Sequence, residues 1–194
     1  MQIRKRLSPE ESRAAAVRAA RDLLKDEGVA AITLKAVATR IGRTHANLLH
    51  HFGSVAGLHR ALAEDIARSV SASINEAIGK RRRGEASERD VVDAMFDAFD
   101  AERAGELVGW IALTRQRAAL EPIVETVRTI VSEFREAGDP RPMDRVTLGL
   151  VLLAIGDSLV GNEIADASGL PREAVREDAV GLIKGIVGDM SQTP

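Results

Sequence analysis

The sequence predicts an all-α protein, and three observations carry the prediction. Apolar residues recur at i, i+3, i+4 and i+7 along its length. No stretch alternates apolar and polar residues as a half-buried strand would. Glycine and proline fall between the periodic stretches, where they punctuate helices instead of closing hairpins. The 194 residues, 45% of them hydrophobic, suffice for a sizeable core, as one large helical domain or as a small domain joined to a larger one.

The first element is expected from Ser8-Pro9-Glu10-Glu11, with serine as N-cap, proline at the first helical position and acids in the first turn. Ser8 and Glu11 also match the S-x-x-E capping box. This helix should run to about Glu27, bury Ala16, Val17, Ala20, Leu23 and Leu24, and stop at Gly28. Thr33 then caps a short helix whose Leu34, Val37, Ala38 and Ile41 form one apolar stripe. Gly42 ends it where a left-handed residue is tolerated. Thr44 caps a second short helix with Leu48 and Phe52 inward, leaving His45, Asn47 and His50 outward. Two short helices joined by a tight turn, the second with a polar outer face, describe a helix-turn-helix.

Gly53-Ser54 breaks and recaps the chain, and a long helix should follow from about Val55 to Gly79, bearing Leu58, Leu62, Ile66, Val70, Ile74 and Ile78. Its first half can pack on the N-terminal helices and its second on the rest. Lys80 to Arg83 read as a solvated helix end complementing the helix dipole. Ser87 caps a helix carrying Val91, Val92, Met95, Phe96 and Phe99; Leu107–Leu120 is a short helix with the single tryptophan, Trp110. Pro122 is expected to open the next, closed by Gly138-Asp139-Pro140. The last two are expected at Met143–Ala167 and Pro171–Met190. The organisation predicted is a helix-turn-helix unit over 1–53 and a larger helical unit over 54–194, with the helix at 54–79 linking them.

Composition excludes several function classes. No cysteine is present, so there is no disulfide, Cys-ligated zinc or thiol nucleophile. No uninterrupted apolar run approaches the ~20 residues of a membrane span, and MQIRKRLSPEES lacks the apolar segment of a signal peptide. A cytoplasmic protein without a membrane partner is expected. All four histidines lie within the first sixty residues, with no His-x-x-x-His pair and no Gly-rich phosphate loop. Neither an enzyme, a metal site nor a cofactor is therefore expected.

Charge is divided unevenly. Residues 1–60 carry eleven Lys or Arg against five Asp or Glu, and the remainder 16 against 24. A basic head on an acidic body suggests that the head meets a polyanion. The arm Arg4-Lys5-Arg6 either touches phosphate or keeps the terminus soluble.

The last two expected helices are apolar on more than one face. Leu148, Val151, Leu152, Ile155 and Leu159, with Leu182, Ile183 and Ile186, need covering, either by a second subunit or by the chain's own core. A four-helix bundle across a two-fold axis is the homodimer this predicts. Asp157, Ser158 and Asn162 interrupt the apolar run; they line a pocket, pair across an interface or form an exposed stripe.

Residues 12–65 resemble the DNA-binding domain of the TetR family of transcriptional regulators. The resemblance rests on Ala19-Ala20, Leu23, Gly28, Thr33, Val37-Ala38, Gly42, Leu48, His51-Phe52 and Leu58 at the family's spacing. It implies a homodimer of about nine helices per subunit whose second helix-turn-helix segment enters the major groove. It also implies a body that binds a small-molecule effector and thereby releases a pseudo-palindromic DNA operator. By position, Thr33 and Lys35 would meet the DNA backbone, and Arg43, Thr44, His45, Asn47, His50 and His51 would supply groove and phosphate contacts. Asn47 is the best base reader, because its amide pairs with adenine's donor and acceptor together. The effector, expected to be apolar or amphipathic, would meet Met95, Phe96, Phe99, Trp110, Leu113 and Asp157, although for each apolar member plain core packing is the favoured reading.

Two positions depart from the family pattern. Leu49 stands where a phosphate-binding tyrosine is usual, and Val55 where a lysine is. If each loss deletes one counterion-releasing contact, DNA binding should be weaker and its salt slope shallower. The alternative function is a helical small-molecule-binding dimer with weak or lost DNA binding.

Overall fold

A computed structural model describes residues 8–188 of the chain, so the Arg4–Arg6 arm and Met190 lie outside the described residues. Among the described residues the protein is all-α, with nine helices and no strand.

Helix α1, Pro9–Glu27, starts as its sequence requires: the Glu11 N–H donates to Ser8 Oγ at 3.1 Å, and the Ser8 N–H donates to the Glu11 carboxylate at 2.7 Å. One 3-10 turn, Val29–Ala31, leads to α2, Leu34–Arg40, and α3, His45–Phe52. Thr33 Oγ1 accepts the Ala36 N–H and Thr44 Oγ1 the Asn47 N–H, so both short helices are capped by side chain. Between them Gly42 takes φ 64°, and the Arg43 N–H turns back onto the Ala38 carbonyl at 2.8 Å. Leu34, Val37, Ala38, Leu48 and Phe52 are all buried.

Helix α4, Val55–Arg82, is capped by Ser54 and runs three residues beyond the expected end, because Lys80–Arg82 form its last turn and face the helix's free carbonyls. Its start crosses α3 so closely that a Cβ on Gly57 would overlap the Phe52 carbonyl oxygen. Helix α5, Glu88–Ala101, opens on a full Ser87–Asp90 capping box.

The sequence reading errs at the next boundary. In place of one helix over Leu107–Leu120 there are α6, Ala104–Leu113, and α7, Arg117–Glu136, with Pro122 inside α7 instead of opening it. Arg115 at φ 57° makes the break. The Gln116 N–H donates to the Ile111 carbonyl and the Arg115 N–H to that of Ala112, the paired closing bonds of a Schellman turn. Such turns usually carry glycine at that position, so no residue type marks this one. Helix α8 spans Met143–Ser168, and α9, Ala174–Gly188, begins three residues after Pro171 because Pro171–Glu173 form a turn whose carbonyl accepts the Ala174 N–H.

Helices α1, α2 and α3 pack on one another, and α1 and α3 on α4; α5, α6 and α7 pack on α4 as well, and α8 and α9 lie against α5 and each other. One apolar core extends from Ala16 to Ala179 along α4. By length and composition α8 is apolar enough to cross a bilayer, contrary to the expectation from uninterrupted runs. It packs against α5, α6, α7 and α9 and carries a buried carboxylate, Asp157, paired to Arg172.

Candidate nucleic-acid interface and body cavity

The outer face of α2 and α3 is assembled from few side chains. His45, Ala46, Leu49 and His50 are exposed on α3; Thr33, Lys35, Arg43 and Thr44 are exposed beside it. Between Glu27 and Glu64 the chain has no Asp or Glu. Lys35 and Arg43 have no acidic partner among the described residues, whereas Arg40 is taken up by Asp26 and Glu27. Both cap threonines accept from main chain, which leaves each hydroxyl hydrogen free to donate outward.

Two predicted readers sit deeper. His51 is half-buried, and its carbonyl receives the Arg13 guanidinium at 3.3 Å while that guanidinium stacks 4.9 Å from the Phe52 ring centroid. Asn47 is half-buried too, with its Oδ1 enclosed and without a hydrogen-bond partner. Bidentate pairing with adenine needs both ends of that amide in the groove, so Asn47 must rotate to do it. Leu49 and Val55 are 44% and 39% exposed, apolar surface where cations or hydroxyls were expected.

A polar latch joins α1 to the α5–α6 junction. Arg21 donates to Glu102 at 2.6 Å, to Asp65 at 3.1 Å and to Ser69 at 2.9 Å. Burial pushes the Glu102 carboxyl up, but the hydrogen bond and charge of Arg21, with Lys25 at 3.3 Å, outweigh it and hold the group below its ordinary value. Arg103, at φ 49°, donates to the Leu24 and Lys25 carbonyls at the end of α1. Glu106 accepts the buried Val29 N–H at 2.7 Å. Sequence reading missed all four residues, because each partner lies more than forty positions away.

Within the body, a cavity of about 120 Å³ lies among α4, α5, α7 and α8, with Ile74, Met95, Ile130, Phe134, Val146 and Leu150 in its wall. A smaller one of about 60 Å³ adjoins it, bounded by Phe99, Ala104, Leu107 and Val127. Ile74, Met95, Ile130 and Val151 line both. Of the residues expected to meet an effector, Met95 and Phe99 line these cavities. The other four are not in either wall. Phe96 is 1% exposed in the core with Arg176 over its ring at 5.5 Å; Leu113 is 85% exposed at the end of α6; Trp110 is half-buried against the core. Asp157 is buried, and Arg172 takes its carboxylate at 3.1 Å together with that of Asp100 at 2.8 Å. A helical period says that α6 has an apolar face; it does not say which way the helix is turned.

The residues expected at a subunit interface divide likewise. Leu148, Leu152, Leu159 and Leu182 are exposed, with Val160 and Ile164 beside them on α8. Ile155, Ile183 and Ile186 pack partly on the core, and Val151 and Ile183 reach the larger cavity.

Residues 16–62 match the family model of the bacterial regulatory proteins of the tetR family. A comparison with curated proteins finds no match. Solved structures share the fold at low identity. The multidrug binding protein EbrR, complexed with imidazole, is 16% identical at a TM-score of 0.69, over 91% of this chain and 95% of that one. A transcriptional regulator from Rhodococcus sp. Rha1 is 18% identical at 0.65, over 97% and 100%. A TetR-family transcriptional regulator from Streptomyces coelicolor is 19% identical at 0.53, over 94% and 98%.

Proposed function

On the premise that the chain belongs to the TetR family of DNA-binding transcriptional regulators, we propose that it is a homodimeric repressor released from a pseudo-palindromic operator by a small apolar or amphipathic effector. The observation that carries this reading is the acid-free outer face of α2 and α3. Its unpaired Lys35 and Arg43 flank a row of exposed hydrogen-bonding and apolar groups. Residues 1–53 are read as the DNA-binding unit and 54–194 as the effector-binding and dimerising unit. Lys35, Arg43 and the threonine hydroxyls take phosphate; His45, Asn47, His50 and His51 take groove edges and adjacent backbone.

Leu49 has a role of its own in this reading. With Ala46 three positions earlier it forms an apolar strip on an otherwise polar face. Such a strip meets thymine through its 5-methyl group, the one apolar feature of the major groove. The missing phosphate contacts at Leu49 and Val55 then lower affinity, while the leucine restores selectivity.

The exposed Leu148, Leu152, Leu159 and Leu182 support a partner subunit on α8 and α9, since contiguous apolar surface of this kind marks an interface. Release follows from position. Ala104 and Leu107 in the smaller cavity's wall flank Arg103 and Glu106, which hold the end of α1. An effector that enlarges the cavity shifts the α5–α6 junction and with it the latch on the DNA-binding helices, and by reciprocity DNA disfavours the effector.

Selection of bound duplexes from a random pool, at fixed 100 mM salt, tests the reading. Enrichment of a two-fold symmetric site is expected. Failure to enrich any sequence supports the other function, a ligand-binding dimer without DNA recognition, which the exposed Leu49 and Val55 favour.

A further inference from the structure

We propose that the larger body cavity takes a small amphipathic anion, an unbranched apolar chain ending in one carboxylate, with Arg82 as its counter-charge. The inference rests on reading that cavity as the effector site, and it names the chemical class the site selects.

The wall described above is apolar, so the body of the ligand must be apolar as well. The charged groups of the wall are Arg81, Arg82 and Arg141, with Glu88, and Thr147 is its remaining polar member. Their pairings leave one charge over. Arg81 is bound to Glu88. Arg141 is held bidentately by Asp139, whose carboxyl falls to about 2, chiefly through the hydrogen bonds from that guanidinium. Arg82, an exposed residue whose charge also reaches Asp139, has no carboxylate within ion-pair distance among the described residues; its guanidinium rests 5.9 Å from the centroid of Phe134, itself in the cavity wall.

The start of α8 adds no open anion site of its own. Met143 and Val146, in its first turn, line the cavity, but the Arg141 and Pro142 carbonyls accept the Met143, Arg145 and Val146 N–H groups. The Asp144 carboxylate also accepts the Arg145 N–H at 2.8 Å and lies 3.6 Å from Arg135. The charge that selects the head group is therefore that of Arg82: a cationic head would meet it with like sign, and a neutral one would gain nothing from the charge.

Size follows from the volumes. At about 30 Å³ per water-sized unit, 120 Å³ admits a chain of roughly four carbons. Met95 stands between this cavity and its 60 Å³ neighbour, and a thioether side chain re-packs with little resistance. Its rotation would join the two and admit roughly two carbons more.

Calorimetric titration of the full-length protein with straight-chain carboxylates of four to twelve carbons, below their micellar range, tests this against matched 1-alkanols and 1-alkylamines. Carboxylates should bind roughly tenfold more tightly than alkanols of equal length, as a charge-assisted contact implies. Alkylamines should be weakest, and affinity should peak at about six carbons. Arg82→Gln should bring carboxylates to the level of alkanols and leave alkanols unchanged. Ile130→Trp, which fills the cavity, should abolish both. Alkanols binding the wild type as well as carboxylates, or carboxylate binding that survives Ile130→Trp, overturns the anion assignment while an effector cavity remains open to neutral compounds. If no compound of any class binds, the cavity is not an effector site and the underlying reading falls with it.

Discussion

The Glu106 carboxylate on α6 accepts the main-chain N–H of Val29, at the point where the chain leaves α1, across 77 positions of sequence and a distance of 2.7 Å. A group lining neither cavity nor the outer face of α2 and α3 thereby ties the α6 end of the body to the end of α1. Gly28, just before Val29, sits at φ 87° with a potential Cβ 3.0 Å from the same carboxylate, so the turn has grown around this contact.

Replacing Glu106 with alanine should therefore cost about 1–3 kcal/mol, because the Val29 N–H is left buried and unpartnered. Glu106→Gln keeps an acceptor and should cost less than about 1 kcal/mol. Urea unfolding of the two variants checks the order; equal losses would mean that charge, not acceptance, is what Val29 needs.

Glu102 gives the fold an acid-sensitive joint. Arg21 and Lys25 hold its folded carboxyl below its ordinary value near 4.5. The contribution is accordingly present above about 4.5 and lost as pH falls through the lower folded value. Unfolding free energy measured from pH 7 to pH 3 should fall less steeply below 4.5 in Glu102→Gln than in the wild type, while the variant is less stable at pH 7.

Leu49 should be visible in the methyl groups of the operator. Exchanging thymidine for deoxyuridine at contacted positions removes one methyl each, worth about 0.8 kcal/mol, or about fourfold in affinity. Leu49→Ala should bind more weakly and be indifferent to the exchange. A wild type equally indifferent would show that Leu49 does not touch thymine.

Lys35 and Asn47 should separate by salt dependence. Lys35→Ala removes one phosphate contact from each half-site, so the slope of log K against log salt should shrink by about 1.8 for the dimer with sequence preference intact. Asn47→Ala should relax the preference at one base pair and leave the slope alone. Uniform loss in both would count against base reading by Asn47, whose enclosed Oδ1 already requires the side chain to turn.

On α8, Leu148→Glu with Leu152→Glu should convert a dimer to a monomer without loss of helix content, since both side chains are about 60% exposed in the single chain. Sedimentation at micromolar concentration and far-ultraviolet circular dichroism read the two quantities separately. A dimer that persists places the interface elsewhere.

By itself the sequence determined what is settled within a few residues. Ser8, Thr33, Thr44, Ser54 and Ser87 cap helices because an N-cap oxygen needs only the N–H three positions on. The helix-turn-helix and its exposed face followed from those caps and from the period of Leu34, Val37, Leu48 and Phe52. Even locally there was a limit: the break between α6 and α7 turns on Arg115 adopting a conformation that its side chain does not announce. Only the tertiary structure decided how each helix is rotated. That rotation put Leu113 in solvent and Phe96 in the core, gave Asp157 to Arg172, and assembled a cavity from Ile74, Ile130 and Leu150. Periodicity defines an apolar face up to rotation about the helix axis; packing against neighbours far away in sequence fixes the angle, and the side chains of a site inherit it.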